Sequence, residues 1–277
     1  MNNSKEEAER PNLYKQSETV CPNSHHCLLS VIVPVKDEAS TLGNLIRRIR
    51  ESLCTYTYEI ILVNDNSIDN TALVERSNDI VIVSHEKNLG KGTAMKTGAA
   101  NAKGDILIFL DSDGVHDPRY IPNIIAPILQ DKADLVIGSR ALHGWSKSGC
   151  HLNRKLSNIV ASIVISVVIS FLLPLVTAFK YPLKRVKVTD CTSGFRAIRK
   201  EGWHRLNLTS LRFEIETEMI YEAASTGLTI AEVSITYNQN GQFSHLSILR
   251  DGLKTSKMLA LKLTGSIGCD PPIKRLR

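Results

Sequence analysis

The chain has 277 residues, 43% hydrophobic and 22% charged, a composition that excludes a disordered or fibrous protein and suits one large domain or two small ones. Lys and Arg outnumber Asp and Glu, 34 to 28, for a formal charge of +6. That excess suits phosphate-rich ligands or an anionic membrane surface and is too weak to argue for nucleic acid.

Residues 1–27 read as a polar, flexible leader without a secretory signal, and six cysteines with no CxxC pair point to a reducing, cytosolic compartment. "CPNSHHC", with Cys21, His25, His26 and Cys27, fits no zinc spacing. From residue 28 strands and helices alternate. "LLSVIVPV" reads as a strand, and "DEASTLGNLIRRIRESL" as a helix with Leu42, Leu45, Ile46 and Ile49 on one face. "YEIILVND" and "DIVIVSH" follow as strands, "GTAMKTGAANAK" as a helix, and "DILIFLDSD" and "ADLVIGSR" as the fourth and fifth strands. This alternation implies an α/β fold, a mostly parallel sheet flanked by helices. "NLGKGTAMKTG" is rich in Gly and Lys but lacks the Gly-Lys-Ser/Thr of a P-loop, and no GxGxxG opens a helix after the first strand.

Residues 157–179, "SNIVASIVISVVISFLLPLVTAF", carry no charge and are long enough to span a bilayer. Basic residues flank the run, Arg154 and Lys155 before it and Lys180, Lys184, Arg185 and Lys187 after it. A single crossing would separate "TSGFR" from the acids of "DSD". The expected form is therefore an inserted membrane-associated helical hairpin over 156–183, bent near Phe171 and Pro174, or helices lying in the interface. A buried core helix is the plain alternative. Beyond it, "FEIETEMIYEAASTG" reads as a helix with Glu214, Glu216 and Glu222 on its wet face. "LTIAEVSITY" reads as a last strand, and 251–277 as an amphipathic basic segment with a second chance of membrane contact.

The chemistry-bearing residues gather at strand ends. Asp37 and Glu38 follow the first strand, Asp65 and Asp69 the second, and Asp111 and Asp113 the fourth. One acid-ended loop is an ordinary solvated turn. Three on one edge of one sheet make a site, because like charges repel unless a cation or donor groups sit among them. Two carboxylates spaced as in "DSD" suit a hard divalent cation such as Mg²⁺ or Mn²⁺.

"VIVPVKDEASTL", "VNDNSIDNT", "NLGKGTAMKTGAANAKGDILIFLDSD", "VIGSR" and "DCTSGFR" occur in an order and spacing that resembles the family 2 glycosyltransferases of GT-A (Rossmann-like) fold, over residues 28–250. Among these the chain looks most like the dolichol-phosphate mannose synthase group. The resemblance implies that Pro34, Asp37, Glu38 and Asp65 hold the nucleoside of a GDP- or UDP-sugar. Asp111 and Asp113 would hold the metal on its diphosphate, with Asp113 also assisting electrostatically. Arg140, and Arg154 further on, would neutralise phosphates. Ser193 and Arg196 of "TSGFR" would close the acceptor side, and Glu218 matches a recurrent acid. The expected activity is inverting, metal-dependent transfer of mannose or glucose to a polyprenyl (dolichyl) phosphate. It would take place at a membrane, with the site on the cytoplasmic face; a membrane partner subunit or a homo-oligomer stays open. Asn64, Val115 and His245 stand where the family tends to have Asp, Gln and Lys. Two alternatives follow: a soluble or glycan acceptor, or a non-catalytic sugar-nucleotide-binding subunit.

Overall fold

The computed structural model describes residues 27–69, 77–142, 163, 188–236 and 248–263. In chain order, the first half contains strands β1 (Leu28–Val35), β2 (Thr57–Asn64), β3 (Ile80–Ser84), β4 (Ile106–Phe109) and β5 (Leu135–Ser139). Helices α1 (Ala39–Ser52), α2 (Lys91–Asn101) and α3 (Ile121–Leu129) lie between them. β6 (Arg196–Arg199), α4 (Lys200–Trp203), α5 (Glu214–Ser225), β7 (Ile230–Ser234) and α6 (Ile248–Leu263) complete the described elements. The strands form one sheet in the order β3-β2-β1-β4-β6-β5-β7. All pairings are parallel except those of β6, which runs antiparallel to both β4 and β5.

The expected strands and helices of the first half are present within a few residues of their expected ends. β6 was not expected: it is four residues long, and "RAIR" carries two arginines where an apolar run would announce a strand. The apolar run, the hairpin expected of it, Arg154 and His245 lie outside the described residues, Ile163 excepted. Among the described residues, no helix is long and apolar enough to cross a membrane.

The sheet's alternation sorts its side chains into two cores. Leu29, Val31, Val33 and Val35 of β1, with Ile60 and Leu62 of β2, meet Leu42, Leu45, Ile46 and Ile49 of α1 and Ile121, Ile124, Ile125 and Ile128 of α3. Ile32, Ile61, Val63, Leu107 and Phe109 point the other way, toward α2, α5 and α6. Each such Leu or Ile contributes about 1.5–3 kcal/mol on burial, so the α1 stripe alone firmly anchors the helix that follows β1.

α2 is held closer to the sheet by small residues. A Cβ at Gly98 would lie 2.3 Å from Ile32 Cγ2 and 3.2 Å from Val63 Cγ2. This close seat matters because the first residue of α2, Lys91, belongs to the site. Gly98→Val is expected to overpack the contact and destabilise the fold by about 1–3 kcal/mol, read as a lower urea midpoint; an unchanged midpoint would show that α2 can move off the sheet freely.

Candidate active site

The chain builds β1, β2 and β3 toward one edge of the sheet and then crosses to β4 on the other side of β1. Strand order thus reverses between β1 and β4, where open α/β sheets bind ligands beyond their carboxyl ends. The acid-bearing ends of β2, β1 and β4 are consequently adjacent on one edge, as expected. The Thr41 hydroxyl in the first turn of α1 donates to the carbonyl of Ser112 at 3.0 Å, fastening the β1 loop to "DSD".

The β1 and β2 loops interlock. Asp37 and Asn66 adopt left-handed backbone, φ 55° and 60°, which Asp and Asn tolerate better than most residues. The Ile68 amide donates to Asp37 Oδ1 at 2.8 Å, the Asp37 amide to Ser67 Oγ at 3.0 Å, and the Ser67 amide to Asn64 Oδ1 at 2.9 Å. Asn64 therefore has a defined use as a loop acceptor. Pro34 lies half-buried in β1 opposite Val63, while Asp37 and Glu38 stand at the open end of the strand.

Asp65 is differently placed from a freely presented ligand group. It is buried, and its oxygens accept from the amides of Leu89 and Gly90 at 2.8 Å each and lie 2.8 Å from His85 Nδ1. It shapes the turn that launches α2. Gly90 is needed there, because its φ is +91° and a Cβ would come within 2.6 Å of the Leu211 carbonyl oxygen.

That turn delivers Lys91. Its Nζ lies 2.5 Å from Asp111 Oδ1 and 2.5 Å from Glu216 Oε1. Burial opposes the ammonium charge, but the two carboxylates outweigh it and hold Lys91 protonated above the ordinary lysine range. Burial likewise favours a neutral Asp111, yet Lys91 reverses this and keeps its carboxyl below the usual value. Among the described residues, Asp113 has no such cation in contact. Burial, with the Asp111 charge beside it, pushes its pKa up to about 6. His116 is kept neutral at pH 7 by burial, with a pKa near 4.

"TSGFR" packs against Asp111 through its glycine. A Cβ at Gly194 would lie 2.2 Å from Asp111 Oδ2, so only glycine fits beneath that carboxylate. The other expected residues of this segment turn inward. Ser193 is fully buried, and its hydroxyl accepts from the Phe195 amide at 3.4 Å. Arg196 is also fully buried and donates to three backbone carbonyls, of Ser193 at 2.7 Å, Cys191 at 2.6 Å and Glu216. Both side chains are buried and bonded within the segment itself.

Arg140 is likewise buried and paired within the protein. Its Nε and one Nη hold the fully buried Asp190 at 2.6 and 2.7 Å, and that Nη also reaches Thr192 at 3.0 Å. This internal bidentate pair pins the start of "TSGFR" to the end of β5. Removing one partner of such a pair costs about 3–5 kcal/mol, because a buried charge is left uncompensated. Glu232 on β7 supports the same turn, accepting from the amides of Thr189 and Asp190 at 3.0 Å each.

α5 departs most from expectation. Glu214, Glu216 and Glu222 are buried, with Glu218 fully so, and form no wet face. Glu218 accepts from Thr209 and Ser210 amides at 3.0 and 2.8 Å, and Lys262 of α6 reaches Glu218 at 3.0 Å and Glu222 at 2.7 Å. Glu216 and Lys91 are the site residues that sequence reasoning missed. The available signal was the lysine of "NLGKG", set aside with the P-loop, and a glutamate every second residue at the start of a helix that must also pack.

Sheet order, the switch between β1 and β4 and the paired aspartates define an α/β protein of the GT-A glycosyltransferase class. The chain belongs to glycosyl transferase family 2, whose model matches residues 30–206. It is 29% identical over 213 residues to a dolichol-phosphate mannosyltransferase of Pyrococcus furiosus, covering 76% of this chain and 56% of that protein. It is also 29% identical to a UDP-N-acetylglucosamine–dolichyl-phosphate N-acetylglucosaminyltransferase of Methanococcus voltae, covering 75% of this chain and 84% of that one. Among solved structures it resembles glucosyl-3-phosphoglycerate synthase of Mycobacterium tuberculosis in complex with Mn²⁺, uridine diphosphate and glucosyl-3-phosphoglycerate. There the TM-score is 0.61 at 18% identity, with 87% and 81% of the two chains covered.

Gly194→Ala should drive Asp111 from its position and lower glycosyl transfer about 10²-fold while the far-UV spectrum is retained; full activity in that variant would separate "TSGFR" from the reacting centre.

Proposed function

We propose that this glycosyltransferase moves mannose or glucose from a nucleoside-diphosphate sugar to a polyprenyl phosphate at a membrane surface, on its cytoplasmic face. The observation that carries the reading is the uneven pair at the end of β4: Asp111 paired with Lys91, and Asp113 raised to about 6 by burial and by the Asp111 charge beside it.

The donor set suits Mg²⁺ or Mn²⁺. Among the described residues no three His, Cys, Asp or Glu are arranged to hold a metal ion. Magnesium is commonly held by one or two carboxylates together with substrate phosphates, so Asp111 and Asp113 are sufficient once a diphosphate supplies the remaining oxygens. When bound, such a cation offsets the charge that builds on the departing nucleoside diphosphate. The interlocked β1 and β2 loops, with Asp37 and Glu38 at the open edge, are placed to hold the nucleoside. Asp65 serves that end through the Leu89–Gly90 turn. An anionic phosphate oxygen of the acceptor attacks the anomeric carbon as the bond to the diphosphate breaks, and the diphosphate takes the electron pair. A phosphate nucleophile needs no base to remove a proton, and none is required of the site. Attack opposite the leaving group inverts the sugar carbon.

The lipid acceptor is supported by the names of the two archaeal relatives and by the charge-free run at 157–179 with its basic flanks, including Arg154. Membranes carrying the chain should move radiolabel from GDP-mannose, UDP-glucose or UDP-GlcNAc into chloroform-extractable lipid with Mg²⁺ or Mn²⁺. Asp113→Ala should lower that transfer on the order of 10²–10³-fold. Label in a water-soluble product instead would assign a soluble acceptor. Tight nucleotide binding without transfer from any donor would make the chain a non-catalytic binding subunit.

A further inference from the structure

Lys91 joins two carboxylates from distant parts of the chain. Asp111 lies two residues past the end of β4, and Glu216 lies in the first turn of α5, 125 residues beyond Lys91. Glu216 is held independently of this contact, since its backbone carbonyl accepts from Arg196. Its side chain is buried and bonded to Lys91 at 2.5 Å.

Charge balance gives this bridge a purpose. Glu38, Asp111, Asp113 and Glu216 bring four carboxylates to the neighbourhood of two cations, Lys91 and Arg196. Arg140 is balanced by its own partner, Asp190. Four negative charges against two positive leave a deficit of two, which one divalent cation makes good. A cation between Asp111 and Asp113 would repel an ammonium 2.5 Å from Asp111. Glu216 already offers that ammonium a second seat without any change in its own position.

We propose that Lys91 is a resident counter-ion that occupies Asp111 until a divalent cation arrives, and that Glu216 is the positioning residue that keeps Lys91 when Asp111 is taken. The inference rests on the reading of Asp111 and Asp113 as the cation pair. Lys91 and the divalent cation then compete for one carboxylate, so Lys91 weakens binding of the bare ion and Glu216 strengthens it by drawing Lys91 away.

The two side chains are therefore expected to act on metal affinity with opposite signs, which loss of structure would not produce. Binding of Mn²⁺ alone is read from the EPR signal of the free ion with wild type, Lys91→Met, Glu216→Gln and the double variant, all checked for cooperative thermal unfolding. Lys91→Met should bind Mn²⁺ about tenfold tighter than wild type, and Glu216→Gln about tenfold weaker, the scale of one partly screened charge contact. The double variant removes the buried glutamate charge along with its partner and should also bind tighter than wild type. It decides the matter if Lys91→Met alone does not fold. Weaker or unchanged binding in the folded lysine variants, or unchanged binding in Glu216→Gln, overturns the inference while leaving the cation pair intact. Wild type that binds no Mn²⁺, either alone or with UDP or GDP present, overturns the cation reading itself; if only the nucleotide-bound form takes the ion, the same four proteins are compared in that form.

Discussion

Asp111 lies just past a strand end with its charge turned into a partly buried crowd of other carboxylates, and the C-terminal edge of the sheet is arranged around neutralising it. Lys91 meets it from one side, and Gly194 makes room for it on another. Each needs support of its own. Lys91 depends on a turn shaped by Asp65 and on a helix that small residues let settle onto β1 and β2. Gly194 depends on a segment pinned by Arg140, Asp190, Arg196 and Glu232. Most charged groups of this edge are spent on holding geometry, and few stand open to a ligand. A preorganised site takes this form: the electrostatic work is done on folding rather than during reaction.

The same economy reaches α5 and α6. Glu218 fixes the 209–210 strap whose next residue, Leu211, presses its backbone on Gly90 and Gly92 at the start of α2. Lys262 ties α6 to Glu218 and Glu222. A continuous run of contacts therefore links the last described helix with the helix that carries Lys91. α6 is amphipathic and basic, yet Met258 and Leu259 are buried in the core and Lys262 is buried beneath it. Part of its pattern is explained by packing within the domain.

The parallel strands were legible because each is a short apolar run bounded by turn residues, and because acids recur at their ends. β6 was hidden because its pairing is decided by neighbours far away in sequence, and because Arg196 sits in it fully buried. A buried arginine holding three carbonyls has no local signature. The same cause hid the internal partners of Arg140, Ser193 and Asp65. The residue types and their edge of the sheet were readable, whereas the direction of each side chain depends on partners that only the fold supplies. α5 shows it most sharply. Glu214, Glu216 and Glu222 look like a solvated face until Lys91 and Lys262, one distant and one near, are brought to meet two of them.

The claim beneath all of this is that the β4 end is where a divalent cation and a nucleotide diphosphate are held together. Anomalous scattering from crystals grown with Mn²⁺ and UDP or GDP tests it most directly. The account predicts one strong Mn peak within bonding distance of both Asp111 and Asp113, with Lys91 resting on Glu216. A Mn peak away from these two aspartates, with nucleotide bound and Lys91 still on Asp111, would contradict it.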